Sequence, residues 1–136
     1  MNVDIVCNAH YNVKYTIEYG DVNMEREEIL SGLILELRRG SIVLAVLSQL
    51  QKPMYGYHLV NVMGESGIAV EVNTIYPLLR RLEGQGLLKS EWETGGAKPR
   101  KYYVITDFGN EIYRVLKKHW DETVASMNSL MEGERQ

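Results

Sequence analysis

The sequence predicts a mainly α-helical chain with one small β-hairpin, and three observations predict it. Apolar residues recur at three- and four-residue spacing from Ile29 to Leu50, and again from Ile75 to Leu82. The period then changes to alternation over residues 88–93, followed by a Gly95-Gly96 turn and the strand-like Lys101-Tyr102-Tyr103-Val104-Ile105. Helical spacing returns at Ile112 and continues to Met131.

Residues 1–23 show neither helical spacing nor sustained alternation. Their tyrosines and valines suit a short edge strand, but nothing in the sequence caps or pairs one. Two readings stay open: a weakly ordered N-terminal arm, or a mis-annotated extension of a chain that starts at Met24. The second rests on back-translation. Gly20-Asp21-Val22-Asn23-Met24 can be encoded with a GGAG ribosome-binding element before the ATG; a Gly20 codon other than GGA or GGG removes the idea.

Over residues 25–51, Ile29, Leu33, Leu37, Val43, Leu44, Leu47 and Leu50 take helical spacing. Gly40-Ser41 divides the run, with Ser41 as the new N-cap, and Pro53 stops it. A shorter helix fits residues 56–63, with Leu59, Val60 and Met63 inward and Gly64 and Gly67 ending it. A third helix starts with Asn73 or Thr74 as N-cap and Pro77 in or near its first turn. It runs to about Gly84, presents Ile75, Leu78, Leu79 and Leu82 to a core and Arg80 and Arg81 outward, and closes at Gly86. In the hairpin, Leu88, Ser90 and Trp92 take the face opposite Lys89, Glu91 and Glu93. Thr106 or Asp107 caps the last helix, whose stripe includes Ile112, Val115, Leu116, His119, Trp120, Val124, Met127 and Leu130. The expected division is an extension at 1–23, a domain at 24–106 and a C-terminal helix and tail at 107–136.

The 136 residues, 45% hydrophobic and 24% charged, suit one globular domain and exclude collagen-like or wholly disordered chains. The single cysteine, Cys7, cannot form an internal disulfide, and His10, His58 and His119 lack metal spacing. No phosphate loop, nucleophile motif or metal motif is present, so neither an enzyme nor a cofactor is expected. The longest apolar run, residues 42–47, is too short to span a bilayer, and no secretory leader is recognisable. The expected location is cytoplasmic, with no membrane partner.

A net charge of -3 speaks on its face against nucleic acid, but the sign varies along the chain. Residues 1–36 carry two basic and seven acidic side chains, giving -5, and residues 37–72 carry three and two, giving +1. Residues 73–118 carry nine basic and five acidic, giving +4, and residues 119–136 carry one and four, giving -3. The basic excess occupies the third helix, the hairpin and the start of the last helix.

Three helices, a hairpin and a helix are the order of a winged helix-turn-helix followed by a long C-terminal helix. The third helix of that architecture enters the major groove, and the hairpin wing touches the backbone or minor groove. The residues suit it: Arg80 and Arg81 can pair with guanine edges or phosphates. Lys98, Arg100 and Lys101 give the wing charge without a competing carboxylate nearby, and Gly95-Gly96 permits close approach. Tyr76, outward beside the helix start, is expected to meet phosphate rather than be buried.

Three segments carry a resemblance. They are Tyr55-Gly56-Tyr57, then Asn73-Thr74-Ile75-Tyr76-Pro77-Leu78-Leu79-Arg80-Arg81-Leu82-Glu83, then Pro99-Arg100-Lys101-Tyr102-Tyr103-Val104-Ile105-Thr106. Together they resemble the PadR family of transcriptional regulators, over about residues 37–120. The resemblance implies a homodimeric, usually repressing regulator bound to a double-stranded DNA operator of near-palindromic sequence. It implies operator contacts from Thr74, Tyr76, Arg80, Lys98 and Arg100; Tyr55, Asn73, Pro77, Arg81 and Lys101 complete the candidate surface. It also implies a dimer interface between the first and last helices, through Leu33, Leu37, Ile112, Leu116, Trp120, Val124 and Met127. Some family members bind planar hydrophobic ligands there, so a small hydrophobic or aromatic effector is an expected partner.

Bland readings stand beside these. Tyr55 and Tyr57 suit core aromatics equally well, Arg80 and Arg81 a solvated face, and Trp120 and His119 an interface core. Arg100 can bridge Glu91 or Glu93 across the hairpin. The alternative function is a winged-helix protein-interaction module without DNA binding, whose third helix and wing would be acidic or apolar.

Overall fold

The spacing that predicts helices also decides which surfaces meet. The computed structural model describes residues 2–7, 14–18 and 24–133. His10, residues 20–23 and the tail at 134–136 lie outside the described residues. Two strands come first, β1 (Asn2–Cys7) and β2 (Lys14–Glu18). They pair antiparallel with each other, Asn2 opposite Glu18 and Cys7 opposite Lys14. The expectation that nothing pairs a strand here is thereby corrected: each strand is the other's partner.

Next come α1 (Met24–Arg39) and α2 (Ser41–Gln49), divided at Gly40. Ser41 is not the N-cap. Gly40 takes that position in helical conformation, φ -71 and ψ -25, and the Ser41 hydroxyl donates backward to the Arg38 carbonyl at 2.8 Å. Gly40 keeps helical dihedrals between the two helices, and no side-chain bond caps α2. A two-residue strand β3 (Met54–Tyr55), unforeseen in the sequence, leads into α3 (Gly56–Glu65). Gly64 lies inside α3. The turn falls at Gly67, φ +89, where the Ile68 N–H reaches the Met63 carbonyl and the Gly67 N–H reaches that of Gly64.

Helix α4 (Val72–Gly84) begins earlier than the sequence predicts. Glu71, extended at φ -77 and ψ 146, is the N-cap, and its carbonyl accepts from Thr74 and Ile75. Asn73 and Thr74 are therefore inside the first turn, and Pro77 is in the second. A proline there removes the N–H that the Asn73 carbonyl would accept. α4 ends as α3 does, at a glycine of positive φ: Gly86, at +81, with Leu87 N–H on the Leu82 carbonyl.

The hairpin is β4 (Leu88–Glu93) and β5 (Arg100–Ile105), antiparallel with Leu88 opposite Ile105 and Glu93 opposite Arg100. β3 adds on the far side of β5, giving the order β3-β5-β4. α5 (Asp107–Gly133) follows at once. Thr106 is its cap: the hydroxyl accepts from the Gly109 N–H at 2.9 Å and donates to the Gly86 carbonyl at 2.7 Å. One side chain thus starts α5 and ties it to the end of α4.

Val46, Leu47, Leu50, Leu59, Met63, Ile75, Leu79, Leu82, Leu88, Tyr103 and Ile105 form a single buried core where α2, α3, α4 and the sheet meet. Of the thirteen large hydrophobic side chains left exposed among the described residues, four lie on α1 and seven on α5. The other two are Tyr57 and Trp92. No helix among the described residues is long and apolar enough to cross a membrane.

Candidate nucleic-acid interface

The buried face of α4, Ile75, Leu79 and Leu82, fixes by default what points outward. Asn73, Pro77, Arg80 and Arg81 are exposed at helical spacing on the opposite side. The wing rises beside this surface, and a groove of about 680 Å³ separates the two. Arg80 enters the groove from α4, while Lys98 and Arg100 enter it from the wing.

Aromatic rings hold these parts in place. Arg100 stacks over Tyr55, its guanidinium carbon 4.8 Å from the ring centroid, and Tyr55 meets Tyr102 edge-on at 5.7 Å. The Tyr102 hydroxyl bonds the Glu93 carboxylate, which raises its pKa above 10.0, and the nearby Arg100 pulls the other way. Glu93 is the Cα partner of Arg100 across the hairpin, and the Tyr102 hydroxyl hydrogen-bonds with both side chains.

Tyr76 departs from the expectation of a solvent-facing phosphate contact. It is half-buried against the core, and its ring lies where a side chain on Gly56 would have to go. Burial raises its pKa, as do the neighbouring Tyr57 and Tyr103 hydroxyls, while a bond from the Tyr57 backbone works against them. The Gly56 of Tyr55-Gly56-Tyr57 is therefore there to admit Tyr76, so two of the sequence segments meet in space.

Lys101 also departs. Its ammonium lies 3.7 Å from Glu83 of α4, and 5.9 and 5.4 Å from the Trp92 and Tyr103 ring centroids. A competing carboxylate thus does lie beside the wing, on α4, because alternation turns Lys101 to the core side with Tyr103 and Ile105.

The sequence family described as "Transcriptional regulator PadR-like family" matches residues 43–118. The chain belongs to this family. A crystal structure of a PadR family transcriptional regulator from Eggerthella lenta DSM 2243 is 50% identical, with a TM-score of 0.76, covering 81% of this chain and 98% of that one. A PadR-like transcriptional regulator from Bacillus cereus is 28% identical, with a TM-score of 0.65, covering 71% and 96%. A PadR-like transcription factor from Bacteroides fragilis is 31% identical, with a TM-score of 0.61, covering 73% and 98%. No curated protein matches the chain. The mainly helical winged-helix fold with its long last helix is that of the PadR structures, and PadR proteins are DNA-binding transcriptional regulators rather than enzymes.

In this PadR chain, Tyr55, Tyr76, Arg80, Lys98, Arg100 and Lys101 converge on the groove, with Asn73, Pro77 and Arg81 on the exposed face of α4. Thr74 stands apart, lining a second hollow with Leu35, Arg39 and Ile42. Of the expected interface residues, Ile112 and Leu116 pack onto their own chain's core. Leu33, Leu37, Trp120, Val124 and Met127 are exposed. Reasoning from the sequence missed Tyr57, Trp92 and Glu83 as parts of the site. Trp92 was legible: it shares a face with Leu88 and Ser90 but lies beyond the end of the core.

Proposed function

We propose that this regulator acts as a homodimeric repressor, with α4 and the wing of each copy on a near-palindromic operator. The observation that carries it is the outward face of α4, with Arg80 and Arg81, flanked by a wing bearing Lys98 and Arg100. On this reading Arg80 and Arg81 read bases, Asn73 and Pro77 approach the groove floor, and Lys98 and Arg100 hold phosphates. Lys101 and Tyr76 position the wing and the helix. A protein seated across successive major grooves, ~34 Å apart, represses by excluding other proteins from the promoter. Exposed apolar faces on α1 and α5 support the dimer: Leu37 is 79% and Trp120 is 46% exposed in the single chain.

Response to an effector is part of the proposal. A hollow of about 310 Å³ lies between α2 and α5, lined by Leu44, Ala45, Tyr113, Lys117 and Trp120. It offers two aromatic rings to a flat apolar molecule. The test is a gel shift with the DNA upstream of the protein's own gene, with and without flat aromatic compounds. A shifted band that falls steeply with salt and is abolished in Arg80→Ala supports the reading. Binding untouched by both Arg80→Ala and Arg81→Ala refutes the assignment of α4.

A further inference from the structure

The dipole of a helix favours carboxylates in its first turn and cations in its last. α1 complies, with Glu25 and Glu27 at its start and Arg38 and Arg39 at its end. α5 does not. Arg114, Lys117 and Lys118 lie in its first half, Asp121, Glu122 and Glu132 follow, and no cation occupies its last turn. The dipole of α5 gives Glu132 no reason to be there. A second anomaly lies on α1. Among the described residues, one buried side-chain nitrogen has no hydrogen-bond partner, Nη1 of Arg38. Buried N–H groups are as a rule paired, and a charged one left single is costly. This orphan belongs to the helix whose Ile29, Leu33 and Leu37 the single chain leaves exposed.

We infer that α1 packs parallel to α5 of a second copy, with Arg38 paired to Glu132 of the partner subunit. This pairing rests on the dimer proposed above and adds its direction and its charged contact. Glu27 and Arg38 are about three turns apart and so share one side of α1, flanking the apolar stripe. Lys117 and Glu132, about four turns apart, flank the stripe of α5 in the same way. Laid parallel, Glu27 meets Lys117 of the partner subunit, and Arg38 meets Glu132 of the partner subunit. The long lysine and arginine side chains span the difference of about one turn. Laid antiparallel, Glu27 would face Glu132 of the partner subunit, and Arg38 would face Lys117 of the partner subunit. Both contacts would then repel. Charge thus chooses the direction, while the apolar stripes supply the adhesion. The orphan nitrogen and the acidic end of α5 become two halves of one contact.

Sedimentation equilibrium of the full chain with reversed charges tests it. Arg38→Glu and Glu132→Arg should each weaken the dimer at least about tenfold, since each sets like charges together twice in a symmetric pair. The double variant should return to within about threefold of the parent. If Arg38→Glu loses its helical circular dichroism, Glu27→Lys with Lys117→Glu decides at the other end, by the same criterion. Single variants that dimerise as the parent does, or a double variant no tighter than either single, overturn the parallel pairing. A parent that is dimeric but indifferent to these changes keeps the dimer and removes only its direction. A parent that is monomeric at every concentration removes both.

Discussion

Arg80 and Arg81 are adjacent in sequence but differ in surroundings. Arg80 lines the groove with the wing cations, whereas Arg81 sits exposed in the last turn of α4 outside that lining. Arg80→Ala should therefore cost about 1–3 kcal/mol of operator affinity and relax base preference, if it reads a base. Arg81→Ala should cost less. Binding titrations on the operator and on point-mutated operators distinguish the cases, since a uniform loss on all sequences marks Arg80 as a phosphate contact. Tyr76 allows a prediction on stability. Its pKa is raised in the fold, by burial first, above the ordinary 10.0. Between the unfolded and folded values the folded state holds the extra proton, so stability is fully present below about pH 10 and is lost as pH rises through the folded value. Tyr76→Phe cannot ionise, and its chemical-denaturation midpoint should fall less steeply than the parent's over that alkaline window.

At the scale of elements, the wing is tied to α4 rather than free beside it. Lys101 and Glu83, with side chains 29% and 31% exposed, join the two at 3.7 Å, and Trp92 and Tyr103 flank the ammonium. Water screens a pair this exposed, so a Lys101→Met and Glu83→Gln double-mutant cycle should give a coupling of about 0.2–1 kcal/mol in stability. The contribution of Thr106 is larger, because one hydroxyl caps α5 and hydrogen-bonds the turn that closes α4. Thr106→Val should lower stability by about 1–2 kcal/mol in a thermal or urea melt. These elements show what the sequence could convey. Periodicity reports which side of each element is apolar, so α2, α3, α4, the hairpin and α5 were legible, as was a cap for α5 at Thr106 or Asp107, of which the structure uses Thr106. Positions that depend on a partner element were not. β3 is two residues long and exists because β5 offers it an edge. Tyr76 turned inward because Gly56, twenty residues earlier, leaves room for its ring. Lys101 found Glu83 only once the hairpin had packed on α4. The start of α4 moved to Glu71 because no side-chain cap bond is used there, and the preference for Asn or Thr carried no weight.

The molecule as a whole places opposite demands on its two ends. Its reading surface belongs to a core completed within one chain, whereas α1 and the distal half of α5 carry apolar stripes that this chain leaves uncovered. Ile112 and Leu116, near the start of α5, are held by the core; Trp120, Val124, Met127 and Leu130, further along the same face, are not. A stripe that continues past its own core at unbroken spacing calls for a second surface, and Ile29, Leu33 and Leu37 on α1 offer one of matching character. On the proposed dimer, Val124→Asp with Met127→Asp puts two charges into that surface while leaving every residue of the core untouched. The variant should run as a monomer in sedimentation, and its melting temperature should no longer rise with protein concentration as the parent's does. Operator binding should weaken sharply, and its dependence on salt should fall to about half the parent slope, because one copy neutralises half as many phosphates as two. A parent chain that sediments as a monomer at every concentration removes the dimer. A monomeric variant that keeps the full salt slope shows instead that one copy supplies all the phosphate contacts.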